Sequence, residues 1–247
     1  MRRTLYGLSQ SPWTERARWA LEHHGVAYTY HEHVPMLGEV LLRRKARTKK
    51  ASVPLLADGD TIVMGSFEIA KHAERIGRGA PLFPRDMDTQ IAHWADVAER
   101  MTRVGRAWLM KRLVNSKAAQ AESLPSFIPG GVRAAFAPTA GMAVRFLAKK
   151  YDVPEDAEAE VEHTLRPLLL ELRAALGKAS PGKGAYILAP SAFSFADLAM
   201  AATMQVVRPR EGAPLGPATR EAWTNERLAE EFADLLEWRD AIYAKHR

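Results

Sequence analysis

Two serines flank a glutamine just ahead of a proline, Ser9-Gln10-Ser11-Pro12, and they follow a short apolar run, Leu5-Tyr6, that breaks at Gly7. Proline is favoured in a first helical turn because its missing N–H would have no intrahelical partner there, and a serine directly before it suits the N-cap. Trp13, Ala17, Ala20 and Leu21 then recur at helical spacing, and Gly25 marks the stop. Strand, exposed hydroxyls and helix N-terminus therefore succeed one another. Unpaired amides and the positive end of the helix dipole point at whatever sits over Ser9, Gln10 and Ser11, so an anion is favoured there. The 247 residues include no cysteine. That removes disulfides, thiolate metal sites and a cysteine nucleophile, so thiol chemistry has to use a thiol carried by the ligand.

Other polar placements are of the same kind. Gly65-Ser66 opens a further helix with its own free amides. Pro54 stands at the entry of a strand; were the Val53–Pro54 bond cis, Val53 would turn its N–H and C=O outward, where an extended peptide ligand could pair with them. His31 and His33 share a face at period-two spacing, but Glu32 points the other way and no third ligand is apparent, so no metal is expected.

The elements that must position these residues follow from the pattern. Val26–Val34 is rich in β-formers and partly alternating, a second strand after the first helix. Residues 36–47 are short, basic and weakly helical. Asp58-Gly59 between the apolar runs 53–57 and 61–64 predicts a tight antiparallel hairpin, and Phe67–Ile76 a helix stopped by Gly77. The order is β-α-β, a loose helix, β-β, α. The proline- and glycine-rich stretch near 79–86 reads as a linker, which divides the chain into 1–78, 79–86 and 87–247. Beyond it everything is helical in character: one long or broken helix over 88–117, an irregular excursion over 123–138, a helix over 139–151, and another from Pro154 to Leu176 with Pro167 arguing for a kink. Ser194-Phe195-Ala196-Asp197 is a capping box with Asp in place of Glu. An amphipathic helix over 226–245 closes the chain.

This plan, an α/β thioredoxin-like N-terminal domain followed by an all-α helical bundle, resembles the glutathione transferases, of the serine-using kind that includes the tau and phi classes, in a bacterial-type form. The resemblance is carried by Leu5-Tyr6-Gly7 with Ser11-Pro12, the helix Arg16-Ala17-Arg18-Trp19-Ala20-Leu21, Val53-Pro54, Gly65-Ser66 and the Ser194–Asp197 box. It implies glutathione as co-substrate, with Ser11, or else Ser9, donating to its thiolate. Val53, preceding Pro54, would pair with the cysteinyl backbone, and Ser66, after Gly65, would bind the γ-glutamyl carboxylate. Lys49 or Lys50 would meet the glycyl carboxylate. Trp13, Trp94, Met101 and Trp108 are the apolar candidates for an electrophile pocket. It further implies a detoxifying transferase acting as a homodimer. The pattern is broken at Gly65, where the family usually has an acidic residue facing the ligand's ammonium. That departure keeps open a binding or scaffold protein with weak or no catalysis, and a glutathione-dependent peroxidase or isomerase is the other alternative.

Composition narrows the partners. A hydrophobic share of 47%, 26% charged residues and a net charge of +6 describe an ordinary soluble chain whose Lys and Arg are spread rather than clustered, so neither nucleic acid nor membrane is expected as a partner. The start, MRRTLYG, lacks the apolar segment of a signal peptide, and the expected location is the cytoplasm.

Overall fold

The computed structural model describes residues 3–122, 133–151, 153–154, 156–177, 185–188 and 192–247, with main chain alone over 133–140. Strands β1 (Arg3–Gly7), β2 (Thr29–Glu32), β3 (Leu55–Asp58) and β4 (Thr61–Met64) form one sheet in the order β2-β1-β3-β4. β1 is central: Leu5 lies opposite Tyr30 in the parallel pair with β2 and opposite Leu56 in the antiparallel pair with β3. The period-two pleat sends neighbours to opposite faces. Leu5 and Leu56 bury against α1 (Pro12–His23) and α3 (Ser66–Ile76) through Ala17, Leu21, Ile69 and Ala73; Tyr6 and Leu55 bury on the other face with Leu42 of α2 (Glu39–Ala46). The Asp58-Gly59 turn closes the β3–β4 hairpin, pairing Asp58 with Thr61 and Leu55 with Met64.

The first helix ends as its glycine predicts. Gly25 has φ +63°, Val26 N–H reaches Leu21 O at 2.8 Å and Gly25 N–H reaches Glu22 O at 3.0 Å, a Schellman closure. The second strand is shorter than the run of β-formers: only Thr29–Glu32 pair, because Val26 is drawn under α1 and α3.

The second half is a bundle around α4 (Asp88–Asn115) and the fully buried α9 (Phe195–Thr203). A 3₁₀ turn, Met204–Val206, follows α9; a Cβ on Gly105 of α4 would lie 2.3 Å from Val206 Cβ, so only glycine admits this approach. The capping box forms, with Ser194 N–H and Oγ each 2.9 Å from Asp197 Oδ2 and Ile187 N–H 2.7 Å from Oδ1. α5 (Lys117–Glu122) continues from α4.

Three helices differ from the sequence expectation. α6 runs Arg133–Lys150, earlier than 139, because the alanine-rich run 134–137 is helical main chain; 123–132, the rest of the expected excursion, lies outside the described residues. The helix spanning Pro167 is divided into α7 (Ala157–Glu160), a π segment (Val161–Leu165) and α8 (Arg166–Ala175), so the wide turn directly precedes the proline that cannot donate an N–H. α10 (Pro217–Trp223) precedes the closing element, which is two helices, α11 (Glu226–Glu231) and α12 (Ala233–His246). The break falls at the fully buried Phe232, where the Arg173 guanidinium lies over the ring at 4.5 Å and donates to Glu231 O at 2.5 Å, satisfying a carbonyl of the last turn.

Candidate active site

One side of a cavity of about 1640 Å³ is made by the loop after β1, the entry to β3 and the start of α3; the other is made by α4, α6 and α10. That exceeds the ~300–1,000 Å³ of a typical single-ligand pocket and leaves room for two small molecules.

Ser11 is the N-cap of α1, with Pro12 at the first helical position. Its main chain is committed, N–H to Leu8 O at 2.9 Å and C=O to Glu15 N–H at 3.0 Å. Its hydroxyl is not: it caps no amide and has no hydrogen-bond partner among the described residues. The expected cap bond is absent. Thr14 instead supports the turn, its Oγ1 accepting from Leu8 N–H at 3.1 Å. Ser11 therefore presents a free donor on the cavity wall at the positive end of a twelve-residue helix. Ser9 also lines the cavity, but its N–H and Oγ both turn to Glu32 Oε1, at 3.0 and 3.4 Å, and Glu32 Oε2 accepts from Tyr30 OH at 2.8 Å.

α1 is held against the bundle by Arg16. Its guanidinium is buried, donates to Ala98 O at 2.9 Å and Thr203 Oγ1 at 2.6 Å, and contacts Thr102 Oγ1. Burial pushes its pKa down to about 10, with the charge of Glu99 acting the other way, so it remains a cation at neutral pH. The N-terminus bearing Ser11 is thus tied to both α4 and α9.

The Val53–Pro54 bond is cis, and Val53 lines the cavity with neither its N–H nor its C=O hydrogen-bonded among the described residues. Gly65 N–H donates to Pro54 O at 2.9 Å, which sets Gly65 and Ser66 beside Val53 across the hairpin. Ser66 opens α3, mostly buried but facing the cavity. Gly65 has φ +92° and ψ 143°, a region only glycine enters readily, although a Cβ would meet nothing within 4 Å. Glu68, one turn on, also lines the wall.

The remaining expected residues divide. Trp13 lines the cavity and donates from Nε1 to Glu99 Oε2 at 2.5 Å. Trp94 and Met101 do not line it: both are buried in the helical core, because their α4 face turns toward the bundle, and Trp108 packs on that core with Arg112 over its ring. Lys49 and Lys50 are exposed and line no part of it, since the turn carrying them lies outside the wall. Among the described residues, the cations that do line it are Arg103 and Arg106 of α4. Sequence reasoning missed these, as it missed Glu32, Glu99 and Tyr151, because their common feature is convergence from distant segments. Burial lowers the Arg106 pKa, opposed by Tyr151 and Glu99.

His33 meets a carboxylate. Its Nε2 faces Glu39 Oε1 at 3.3 Å, and Lys150 of α6 reaches both Glu39 oxygens at 2.8 Å, joining the loop after β2 to the bundle at the cavity's edge.

Residues 5–81 match the family model for the glutathione S-transferase N-terminal domain. Among solved structures, the chain is similar to glutathione transferase GSTFuA2 from Phanerochaete chrysosporium (15% identity, TM-score 0.63, covering 100% of this chain and 99% of that one). It is similar also to the beta-etherase LigF from Sphingobium sp. strain SYK-6 (17%, 0.62, 99% and 96%). A third is a glutathione S-transferase from Methylobacillus flagellatus KT with glutathione bound (14%, 0.62, 97% and 94%). A search of the curated proteins finds no match.

Proposed function

We propose that this protein is a glutathione transferase whose thiolate donor is Ser11; the match of residues 5–81 to the glutathione S-transferase N-terminal family model and the likeness of the whole chain to glutathione-transferase folds support this reading. The observation that carries the reading is the free Ser11 hydroxyl at the N-terminus of α1, on a cavity wall of a chain that has no thiol of its own. A free thiol has a pKa near 8.5, and each unit of depression corresponds to about 1.36 kcal/mol in favour of the anion. One hydroxyl donor together with a helix N-terminus supplies ~1–2 units of this. Val53 pairs its open main-chain groups with the cysteinyl residue, and Ser66 with the amides of α3 receives the γ-glutamyl carboxylate. The thiolate sulfur then attacks an electrophilic carbon, the C–S bond forms as the leaving group departs with its electron pair, and proximity in the shared cavity supplies much of the rate.

The division into a glutathione-binding unit, 1–78, and a helical unit, 87–247, joined through 79–86, belongs to this reading, as does assembly into a homodimer, which sizing at several concentrations tests. Calorimetric titration with glutathione and turnover of a general aryl halide test the function. The expected result is millimolar or tighter binding, with turnover that collapses in Ser11→Ala. Gly65, standing where an acidic residue would meet the ligand's ammonium, favours the second reading, a binding protein without efficient catalysis; absence of detectable glutathione binding overturns the transferase.

A further inference from the structure

Among the described residues, Arg106 is a cation without an acceptor. Its guanidinium carbon stands 4.0 Å from the centroid of the Tyr151 ring and 5.1 Å from that of Trp13, so the group is flanked by two aromatic faces on the cavity wall. Among the described residues it makes no hydrogen bond and no ion pair, and its Nε is buried without a partner. The neighbouring arginines differ. Arg16 has carbonyl and hydroxyl acceptors, and Arg103 Nε donates to Glu99 Oε1 at 3.1 Å.

The carboxylates nearby are committed elsewhere. Glu99 accepts from both Trp13 Nε1 and Arg103. Glu122, also in the wall, accepts the Ala218 and Thr219 N–H groups at the start of α10, at 3.1 and 2.7 Å. Around them the wall is apolar, with Leu109, Met110, Leu113, Val144, Leu147 and Trp223. A partly desolvated guanidinium with open donors in such surroundings is costly until an anion arrives, and its planar fork matches a carboxylate with two parallel hydrogen bonds. The apolar wall around it suits a flat aromatic body. Trp13 follows Ser11 by two residues in the first turn of α1, so the cation is joined through one ring to the proposed thiolate donor.

We propose that the second substrate is an aryl electrophile bearing a carboxylate, and that Arg106 binds that carboxylate and sets the orientation of the ring toward the sulfur. This names the substrate class of the proposed transferase and rests on that reading for the reaction, though not for the binding.

The probe pair is 4-chloro-3-nitrobenzoate and its methyl ester, which share the reacting carbon and differ in charge; because the ester also activates the ring more strongly, each kcat/KM is divided by that probe's uncatalysed rate constant with glutathione before the two are compared. With glutathione, the C–S bond forms at the carbon bearing chlorine, chloride leaves with the bonding pair and the thiol proton passes to solvent. The expected wild-type result is at least a tenfold preference in kcat/KM for the acid over the ester. In Arg106→Met that ratio falls to near one, and Arg106→Lys, which keeps the charge but not the fork, holds an intermediate value. Calorimetric binding of both probes without glutathione gives the second readout, with the same order of preference expected. A wild-type ratio near one in turnover and in binding, or a ratio unchanged in Arg106→Met, overturns the proposal. Selective, Arg106-dependent binding of the acid without any turnover supports the anion site while overturning the transferase; turnover of both probes without discrimination does the reverse.

Discussion

Ser9 and Glu32 are bound twice, the serine N–H at 3.0 Å and its hydroxyl at 3.4 Å from one carboxylate oxygen. Two residues on, Ser11 has a hydroxyl with no partner among the described residues. A donor already engaged by a carboxylate is a poor partner for a thiolate, and the negative charge behind it would push a nearby thiol pKa up. The pH profile of kcat/KM separates the two serines. In Ser11→Ala the alkaline-rising limb is expected to move upward by ~1–2 pH units, with a ~10–100-fold loss at neutral pH. Ser9→Ala should leave the limb in place; if it moves the limb instead, Ser9 is the donor.

Lys150 and Glu39 set a pH dependence of stability. Burial by itself would raise the Glu39 carboxyl, but hydrogen bonds and charge from Lys150, then His33, outweigh it and hold it below the ordinary value of 4.5. A carboxyl depressed on folding contributes stability that is present above its unfolded pKa and lost as pH falls through the folded one. His33, lowered by burial against the opposing pull of Glu39, adds a loss that begins as pH falls below 6.5. Urea midpoints measured from neutral pH down to pH 3 should therefore decline. Lys150→Met is expected to cost about 1–3 kcal/mol at neutral pH, less than the ~3–5 of a fully buried pair because the lysine is partly in water. It should also flatten the decline below pH 4.5.

Gly65→Ala isolates a backbone effect. At φ +92° and ψ 143° an L-residue is strained, while the added methyl meets no atom within 4 Å. The expected loss is ~1–3 kcal/mol in denaturant unfolding. A neutral result would mean that the loop relaxes into a conformation alanine accepts.

Asp197 carries three hydrogen bonds with no exposure. Burial pushes its carboxyl up to about 6, against the pull of those donors, so at neutral pH it is ionised and accepts all three. Asp197→Asn turns one acceptor oxygen into a donor facing other donors, and should cost ~2–4 kcal/mol. Ser194→Ala removes one donor and should cost nearer ~1 kcal/mol. Thermal unfolding of the two variants checks the order; equal losses would place the stabilisation in packing rather than in the box.

Features that depend on local chemistry were legible in the chain. Pro12, Gly25, the Asp58-Gly59 turn and the Ser194–Asp197 box each act within a few residues of themselves, and the elements they bound are found where they predict. The placement of Ser9, Ser11, Val53 and Ser66 on one cavity agrees with what the family resemblance implied, whereas the local signals marked each residue without bringing them together. The helical side of that cavity did not. Trp94, Met101 and Trp108 share helical spacing with true wall residues, and periodicity marks an apolar face without saying what it faces.

Which serine is free was also beyond the sequence, since both stand before the same helix. Glu32, 23 residues away, engages one and leaves the other. Arg106 is an arginine like many others until Tyr151 and Trp13 close on it and Glu99 is taken by other donors. Sequence alone determined where chain segments begin, turn and stop, because those choices rest on backbone geometry and caps. Only the tertiary structure decided which polar groups keep an unmet bond, because that depends on what distant segments bring to the same few ångströms.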